Sequence, residues 1–342
     1  MKALLLNGPN KPFSIETVND PSPAKGYAVA KVLACGSGLT IQHVKAGRII
    51  VDYPKIIGHE IIGEIVEING KSNEYKVGDP VTAFFYLTCG QCRWCNIDRE
   101  TLCDNFKGYI GREIDGGYAE YIKLPIENFI KIPESINYKN NLLETAVVCD
   151  AVATPLKVLK KARISSFDKV GVMGAGGGLG IHMLKMLKLN NISSLGIDTK
   201  TEKFDICNQN GAEFSVSPME NDLINKIDDF TEGNGLDVVI DFVSSKASLE
   251  LGALILGKGG RLVTLGGSGK QFLANSADML VKELELIGSR YCTKQELKDS
   301  LDLYARGLIK PLVSYKTDFN GAEDLHHKIE TGDVIGRAGI LI

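Results

Sequence analysis

The sequence predicts an α/β protein whose β-rich first part, residues 1–150, precedes a parallel, doubly wound sheet over 151–287 and a return segment over 288–342. Three observations predict it. Up to residue 150, short β-type runs are broken by Gly and Pro. Beyond 151, short apolar runs alternate with stretches of helical spacing, the pattern of a sheet covered on both faces. Past 287 the texture is mixed again and closes on an apolar run.

Taken in order, Ala28–Ala34, Ile61–Ile68, Pro80–Phe85 and Gly117–Leu124 read as strands. In the second of these Ile61, Ile62, Ile65 and Ile68 are interleaved with Glu64 and Glu67, as in a strand with one buried face. Val170–Met173, Ser194–Ile197, Val238–Ile240 and Arg261–Leu265 are short apolar runs suited to buried parallel strands. Between the first two, Gly180–Leu189 has helical spacing, with Gly180, Met183, Leu184 and Leu187 on one face and Lys185 and Lys188 turned away. Ala338–Ile342 is the closing strand.

A length of 342 residues suffices for two cores, and 44% hydrophobic with 24% charged residues is ordinary globular composition. The net charge of -3 offers no electrostatic footprint for nucleic acid or an anionic membrane. The first residues, MKALLLNGPNKPF, lack the apolar core of a signal peptide, and no apolar run approaches membrane-spanning length. Eight cysteines, half of them in metal-type spacing, suit a reducing compartment, so a cytoplasmic protein is expected.

That spacing is C-x2-C-x2-C-x7-C at Cys89, Cys92, Cys95 and Cys103. Four thiolates so close in one loop can close a tetrahedron around Zn²⁺, as structural zinc sites do, and by itself this is equally the mark of a non-catalytic zinc ribbon. The run Val170–Met173 enters Gly174-Ala175-Gly176-Gly177-Gly178-Leu179-Gly180 and then the helix. Glycines at such a turn let the backbone approach a pyrophosphate, and the helix start offers it free N–H groups. The strict G-x-G-x-x-G spacing is met loosely, with Ala175 in the first place. The next strand ends in Asp198, where an acidic side chain accepts from ribose hydroxyls and repels a 2′-phosphate, so NAD is expected over NADP. Lys200 and Lys203 lie nearby and weaken that preference.

Outside the quartet, Cys35, His59 and Asp150 have ligand chemistry, Asp150 at the change of texture where a cleft is expected. Three protein ligands and one open position make a catalytic zinc, and mixed sulfur, nitrogen and oxygen ligation fits a Lewis acid acting on an alcohol. Spacing alone leaves a packed histidine and a buried thiol as the alternative.

Nearly the whole chain resembles a zinc-containing alcohol dehydrogenase of the medium-chain dehydrogenase/reductase superfamily. The matching stretches are KALLLNGP, the Cys35 loop, GHEIIGEIVEIN, VGDPV, CGQCRWC with Cys103, GGYAEY, GAGGGLG, LGIDTKTEKF, GKGGRLVTLG and IGRAGILI. The resemblance implies a GroES-like catalytic domain over 1–150, completed by 288–342, and a Rossmann NAD-binding domain over 151–287. It implies two zinc ions per chain, one in the quartet and one on Cys35, His59 and Asp150. Aligning Thr154, Lys157 and Leu159 with the family's helix puts Asp150 rather than Cys149 at the third ligand position.

By the same resemblance Glu60 approaches the metal during ligand exchange, and Ser37 contacts the substrate oxygen. Gly174, Gly177, Gly178, Leu179 and Gly180 bind the cofactor, Asp198 and Lys203 hold its adenosine ribose, and Arg337 lies near its pyrophosphate. The implied reaction is reversible hydride transfer between a primary or secondary alcohol and NAD, in a homodimer or homotetramer. The chain departs from the family's C-x-[ST]-D-x-H pattern, with Gly38 at the Asp and Thr40 at the His. That Asp orients the metal-bound histidine, and losing such a partner typically lowers affinity or activity roughly 10–100-fold. Thr40, His43 or a water chain is left to complete the proton relay. Two other readings stand: a reductase of an activated double bond of enoyl- or acryloyl-CoA type, and a non-catalytic binding protein on the same fold.

Overall fold

Strand formation starts at the N-terminus, where Lys2–Leu6 (β1) and Phe13–Thr17 (β2) pair antiparallel across a turn closed by Lys11 N donating to Gly8 O. Next come Tyr27–Ser37 (β3), Glu60–Asn69 (β4), Pro80–Ala83 (β5), Tyr121–Pro125 (β6) and Phe129–Lys131 (β7). Val170–Met173 (β8), Ser194–Ile197 (β9), Ser215–Val216 (β10), Leu236–Asp241 (β11), Leu256–Thr264 (β12) and Glu285–Gly288 (β13) form a second series. Val313–Thr317 (β14) and Arg337–Leu341 (β15) close the chain. These elements belong to a computed structural model that describes residues 1–266 and 271–342. The chain divides into two compact units, Met1–Ala153 with Cys292–Ile342, and Thr154–Tyr291.

In the first unit a seven-stranded sheet runs β14-β15-β3-β4-β5-β7, with β6 paired to β3. All its pairings are antiparallel except β14 with β15. The long strand β3 organises this sheet. Its buried Ala28, Ala30, Val32 and Ala34 pack inward, and irregular register at Val29/Ala30 and Val32/Ala34 bends it between its partners. Its last three residues lie between the start of β4 and β15: Cys35 pairs with Ile61 and Ile340, Gly36 with Glu60 and Gly339, and Ser37 with Ala338. That register puts sequence-distant side chains at one end of the sheet.

The second unit has the strand order β10-β9-β8-β11-β12-β13, all parallel, with helices in each connection. This is the doubly wound order whose reversal point lies between β8 and β11, where ligands of such sheets bind. Its core joins Met173, Leu195, Ile197, Val216, Leu236, Val239 and Leu262. The helix Gly180–Leu189 has the bounds read from sequence, but Ile181, His182 and Met186 are buried along with the expected face, and Lys188 is exposed.

Candidate active site

The loop carrying the quartet is stiffened by two single 3-10 turns, Cys95–Ile97 and Glu100–Leu102. It brings Cys92 Sγ to 3.6 Å from Cys95 Sγ and 3.9 Å from Cys103 Sγ, and Cys103 Sγ to 3.5 Å from Cys89 Sγ. A tetrahedron with zinc–sulfur bonds of about 2.3 Å has edges of about 3.8 Å. The four thiols therefore fit that ion as they stand. Cys89 N donates to Cys103 Sγ at 3.3 Å, and the N–H of Gln91 helps to hold the Cys89 thiol down to about 6.

The second cluster forms at the end of β3. His59 and Glu60 enter at the start of β4, and Asp150 arrives from the π-helical turn Val148–Val152. Such turns push a side chain out of helical register and recur at functional sites. Ligand atoms of His59, Glu60 and Asp150 all lie within 4.8 Å of one another, and His59 Nε2 is 3.6 Å from Asp150 Oδ2. Cys35 is outside that set, but a Cβ added to Gly58, next to His59, would lie 2.9 Å from its Sγ. The cysteine thus borders the cluster, with its Sγ 3.5 Å from Gly36 O and its thiol pushed up by burial and by Glu60.

Glu60 is fully buried, and its carboxylate oxygens meet hydrogen-bond geometry with no neighbour, Arg337 being held at ion-pair distance. Burial pushes it up to about 8 against the pull of Arg337. A buried carboxylate without hydrogen bonds, beside an imidazole, a second carboxylate and a thiol, is a donor set that zinc fits. Burial also lowers His59, keeping its ring neutral as ligation requires.

Arg337 is a cation of this cluster. The sequence reading put it near the cofactor pyrophosphate; it lies buried with Nη2 3.0 Å from Glu60 Oε1 and 2.9 Å from Asp150 Oδ2. Gly38 makes room for it, since a Cβ there would run into the Arg337 guanidinium. The glycine that replaces the family's Asp leaves the space that the guanidinium occupies.

Ser37 is buried and its Oγ meets Tyr118 Oη. Thr40 is exposed at the start of the helix Leu39–Lys45 and borders a narrow cavity with Ile57, His59, Phe85, Ile110 and Arg112. Phe85, given no role from sequence, stacks on His59 with ring centroids 3.9 Å apart. His43 Nδ1 accepts from Arg48 Nε at 2.7 Å. The sequence reading also missed Tyr118, Gln42 and His326; the one signal for Tyr118 was its place in GGYAEY.

In the second unit β8 leads into the glycine turn, and Gly180 starts the following helix without a side-chain cap. A Cβ on Gly180 would collide with Gly174 O, so the tight turn needs glycine here. Asp198 fixes the turn from the end of β9: Gly176 N donates to its Oδ2 at 2.9 Å and Lys200 N to its Oδ1 at 3.0 Å. Lys203 is buried against Gly176.

Residues 25–134 match the family model of the alcohol dehydrogenase GroES-like domain, and residues 178–306 match that of zinc-binding dehydrogenases. An NAD-dependent alcohol dehydrogenase of Sulfolobus acidocaldarius is 30% identical over 349 residues, with 98% of each chain covered. An acryloyl-coenzyme A reductase of Sulfurisphaera tokodaii is 28% identical over 342 residues, again with 98% of each covered. The crystal structure of the alcohol dehydrogenase from Aeropyrum pernix matches with a TM-score of 0.92 at 28% identity over 100% of both chains. With two family models and a full-length relative in agreement, the chain belongs to the zinc-containing alcohol dehydrogenases of the medium-chain dehydrogenase/reductase superfamily.

Proposed function

We propose that this enzyme transfers hydride reversibly between a primary or secondary alcohol and NAD, giving an aldehyde or ketone. One observation carries the reading: an imidazole, a fully buried carboxylate and a half-buried one converge beside a cysteine and a serine at one sheet end. Cys35, His59 and Asp150 would hold a catalytic zinc, and Cys89, Cys92, Cys95 and Cys103 a structural one, two per chain. When bound, zinc supplies the Lewis acidity that lowers the pKa of a hydroxyl, and NAD supplies the hydride acceptor. Glu60 tunes the charge around the ligands, and Ser37 Oγ would accept the hydrogen bond of the substrate hydroxyl, whose proton would be passed outward through the cofactor ribose. Ile57, Phe85 and Ile110 give the narrow cavity beside His59 apolar walls, with Arg112 and Thr40 as its polar lining.

The deciding assay supplies NADH with a simple aldehyde or with an enoyl thioester. The aldehyde is expected to oxidise it. Thioester turnover alone would transfer the assignment to the double-bond reductases, a reading favoured by the acryloyl-coenzyme A reductase relatives and by the incomplete relay at Gly38 and Thr40. Ser37→Ala is expected to lower kcat at least about a hundredfold with KM for NAD little changed. Unaltered turnover would remove Ser37 from the reaction.

Asp198 supports NAD over NADP, since both its oxygens are fixed by the turn and its charge opposes a 2′-phosphate. Asp198→Ser is expected to lower kcat/KM with NAD about tenfold or more and to raise it with NADP, where Lys200 and Lys203 offer positive charge. An unchanged NAD/NADP ratio would show that Asp198 does not read the ribose.

A homodimer or homotetramer is supported by the open edge at β13 and by exposed Leu254, Leu273, Leu280, Val281 and Leu286 in the same unit. No helix among the described residues is long and apolar enough to cross a membrane. A cytoplasmic location is supported by the quartet, whose thiolates need reducing surroundings.

A further inference from the structure

Ser37 is the inner end of a hydrogen-bonded chain that reaches the surface of the first unit. Tyr118 Oη lies between Ser37 Oγ and His326 Nε2, the latter at 3.0 Å. His326 Nδ1 is 2.6 Å from Gln42 Oε1, and Gln42 Nε2 donates to Glu330 Oε2 at 2.8 Å. Glu330 is in turn paired with Arg48 through two contacts of 2.7 and 2.6 Å. Ser37, Tyr118, His326 and Gln42 are all buried.

The direction of every bond follows from the outer end. Arg48 and Gln42 hold Glu330 down to about 2, so it is a carboxylate and can only accept. Gln42 must then turn its amide N–H₂ to Glu330 and its carbonyl to His326. The carbonyl accepts, so His326 carries its hydrogen on Nδ1 and leaves Nε2 bare. Tyr118 has one hydroxyl hydrogen and donates it to Nε2. Its oxygen is left to accept from Ser37.

We infer that Tyr118, His326 and Gln42 are positioning residues that commit the Ser37 hydrogen to Tyr118, leaving the Ser37 oxygen as an acceptor for the substrate hydroxyl. The inference rests on the alcohol reading for its substrate and deepens it by naming what orients Ser37. The chain orients and does not carry protons to solvent, because the Gln42 carboxamide interrupts it. Nor does His326 store a proton. Burial and nearby Lys45, itself 2.9 Å from Glu323, hold the ring down to about 3. Phe13 closes the same space, its ring centroid 5.1 Å from that of His326.

The test has one arm independent of turnover. Nitrogen-15 NMR of the zinc-loaded enzyme at pH 7, with the His326 signal assigned by its loss in His326→Gln, is expected to show the neutral Nδ1–H tautomer. An Nε2–H tautomer or an imidazolium would overturn the inference whether or not any alcohol is oxidised. In the second arm, Tyr118→Phe and His326→Leu are expected to lower kcat about tenfold, the size of one directed hydrogen bond, with KM for NAD unchanged. His326→Gln, whose amide can accept from Tyr118 and donate to Gln42, is expected to stay within about threefold of wild type. A His326→Gln enzyme as slow as His326→Leu would overturn the inference. Failure of the wild type to oxidise any alcohol would sink the substrate reading and leave the tautomer result to decide the polarity.

Discussion

Asp150→Asn is expected to cost the enzyme one of two metal equivalents and about two to three orders of magnitude in kcat, with the quartet's ion retained. A catalytic zinc depends on three protein ligands, and a neutral amide in place of a carboxylate weakens both the bond and the charge balance. Lewis-acid stabilisation is worth several kcal/mol, and each ~1.4 kcal/mol is tenfold in rate. The fold is expected to survive. Asp150 pairs with Arg337 at 2.9 Å, but that guanidinium keeps Glu60 at 3.0 Å and is not left as a lone buried charge. Two companions make the result specific. Asp150→Cys, which restores an anionic donor, is expected to recover the metal and much of the rate. Cys149→Ser is expected to leave the metal in place, since its thiol is turned to Ala146 O at 3.3 Å. Metal analysis of the purified variants checks all three. An Asp150→Asn enzyme with both ions and full turnover would remove Asp150 from the ligand set.

What could be read from sequence divides along a physical line. The runs Val170–Met173 and Ser194–Ile197 and the helix Gly180–Leu189 have the same bounds in sequence and structure, because buried parallel strands are short apolar runs bounded by Gly and Asp. The two-residue strand β10 and the edge strand β13 carry too few apolar residues to stand out, and their neighbours recruit them. Pro80–Phe85 reads as one run, yet its strand ends at Ala83 and the ring of Phe85 turns to His59. Tertiary packing decided that boundary.

The candidate site shows the same limit more sharply. The quartet is local and legible. Cys35, His59 and Asp150 needed a family resemblance, since what gathers His59 and Asp150 is the pairing of Gly36 with Glu60 across β3 and β4 and a π-helical turn. Neither is a sequence pattern. His326 and Gln42 left no signal at all, and Tyr118 only its place in GGYAEY. Their bonds span 208 and 284 residues, and each side chain alone is an ordinary core polar group. Gly38 shows why a departure from a family pattern is hard to interpret from sequence. It reads as the loss of an orienting carboxylate, while in the structure it opens the space that Arg337 fills.

Cys92→Ser is expected to unravel the lobe that carries the quartet without unfolding the sheet of the same unit. Within residues 89–105 only Glu100, Thr101 and Cys103 are buried, and the regular structure is two single turns. So little buried apolar surface cannot offset the conformational entropy of ordering the segment. Structural zinc supplies apparent binding energies of about 10–16 kcal/mol in small zinc-finger peptides, and an ion in the quartet would stand in for the missing core. The sheet has its own core in Ala30, Val32, Ile62, Ile65 and Val81, and none of that is touched. Trp94, the one tryptophan of the chain, lies in this lobe between Arg93 and Arg99, whose guanidinium carbons are 4.8 and 4.9 Å from its ring. Its fluorescence therefore reports on the lobe alone. A red shift of Trp94 emission and a rise of about tenfold or more in proteolytic cleavage within 89–105 are expected, with β-sheet circular dichroism preserved. Wild-type emission and protease resistance in a Cys92→Ser chain lacking the quartet's ion would show that the lobe holds its shape without metal.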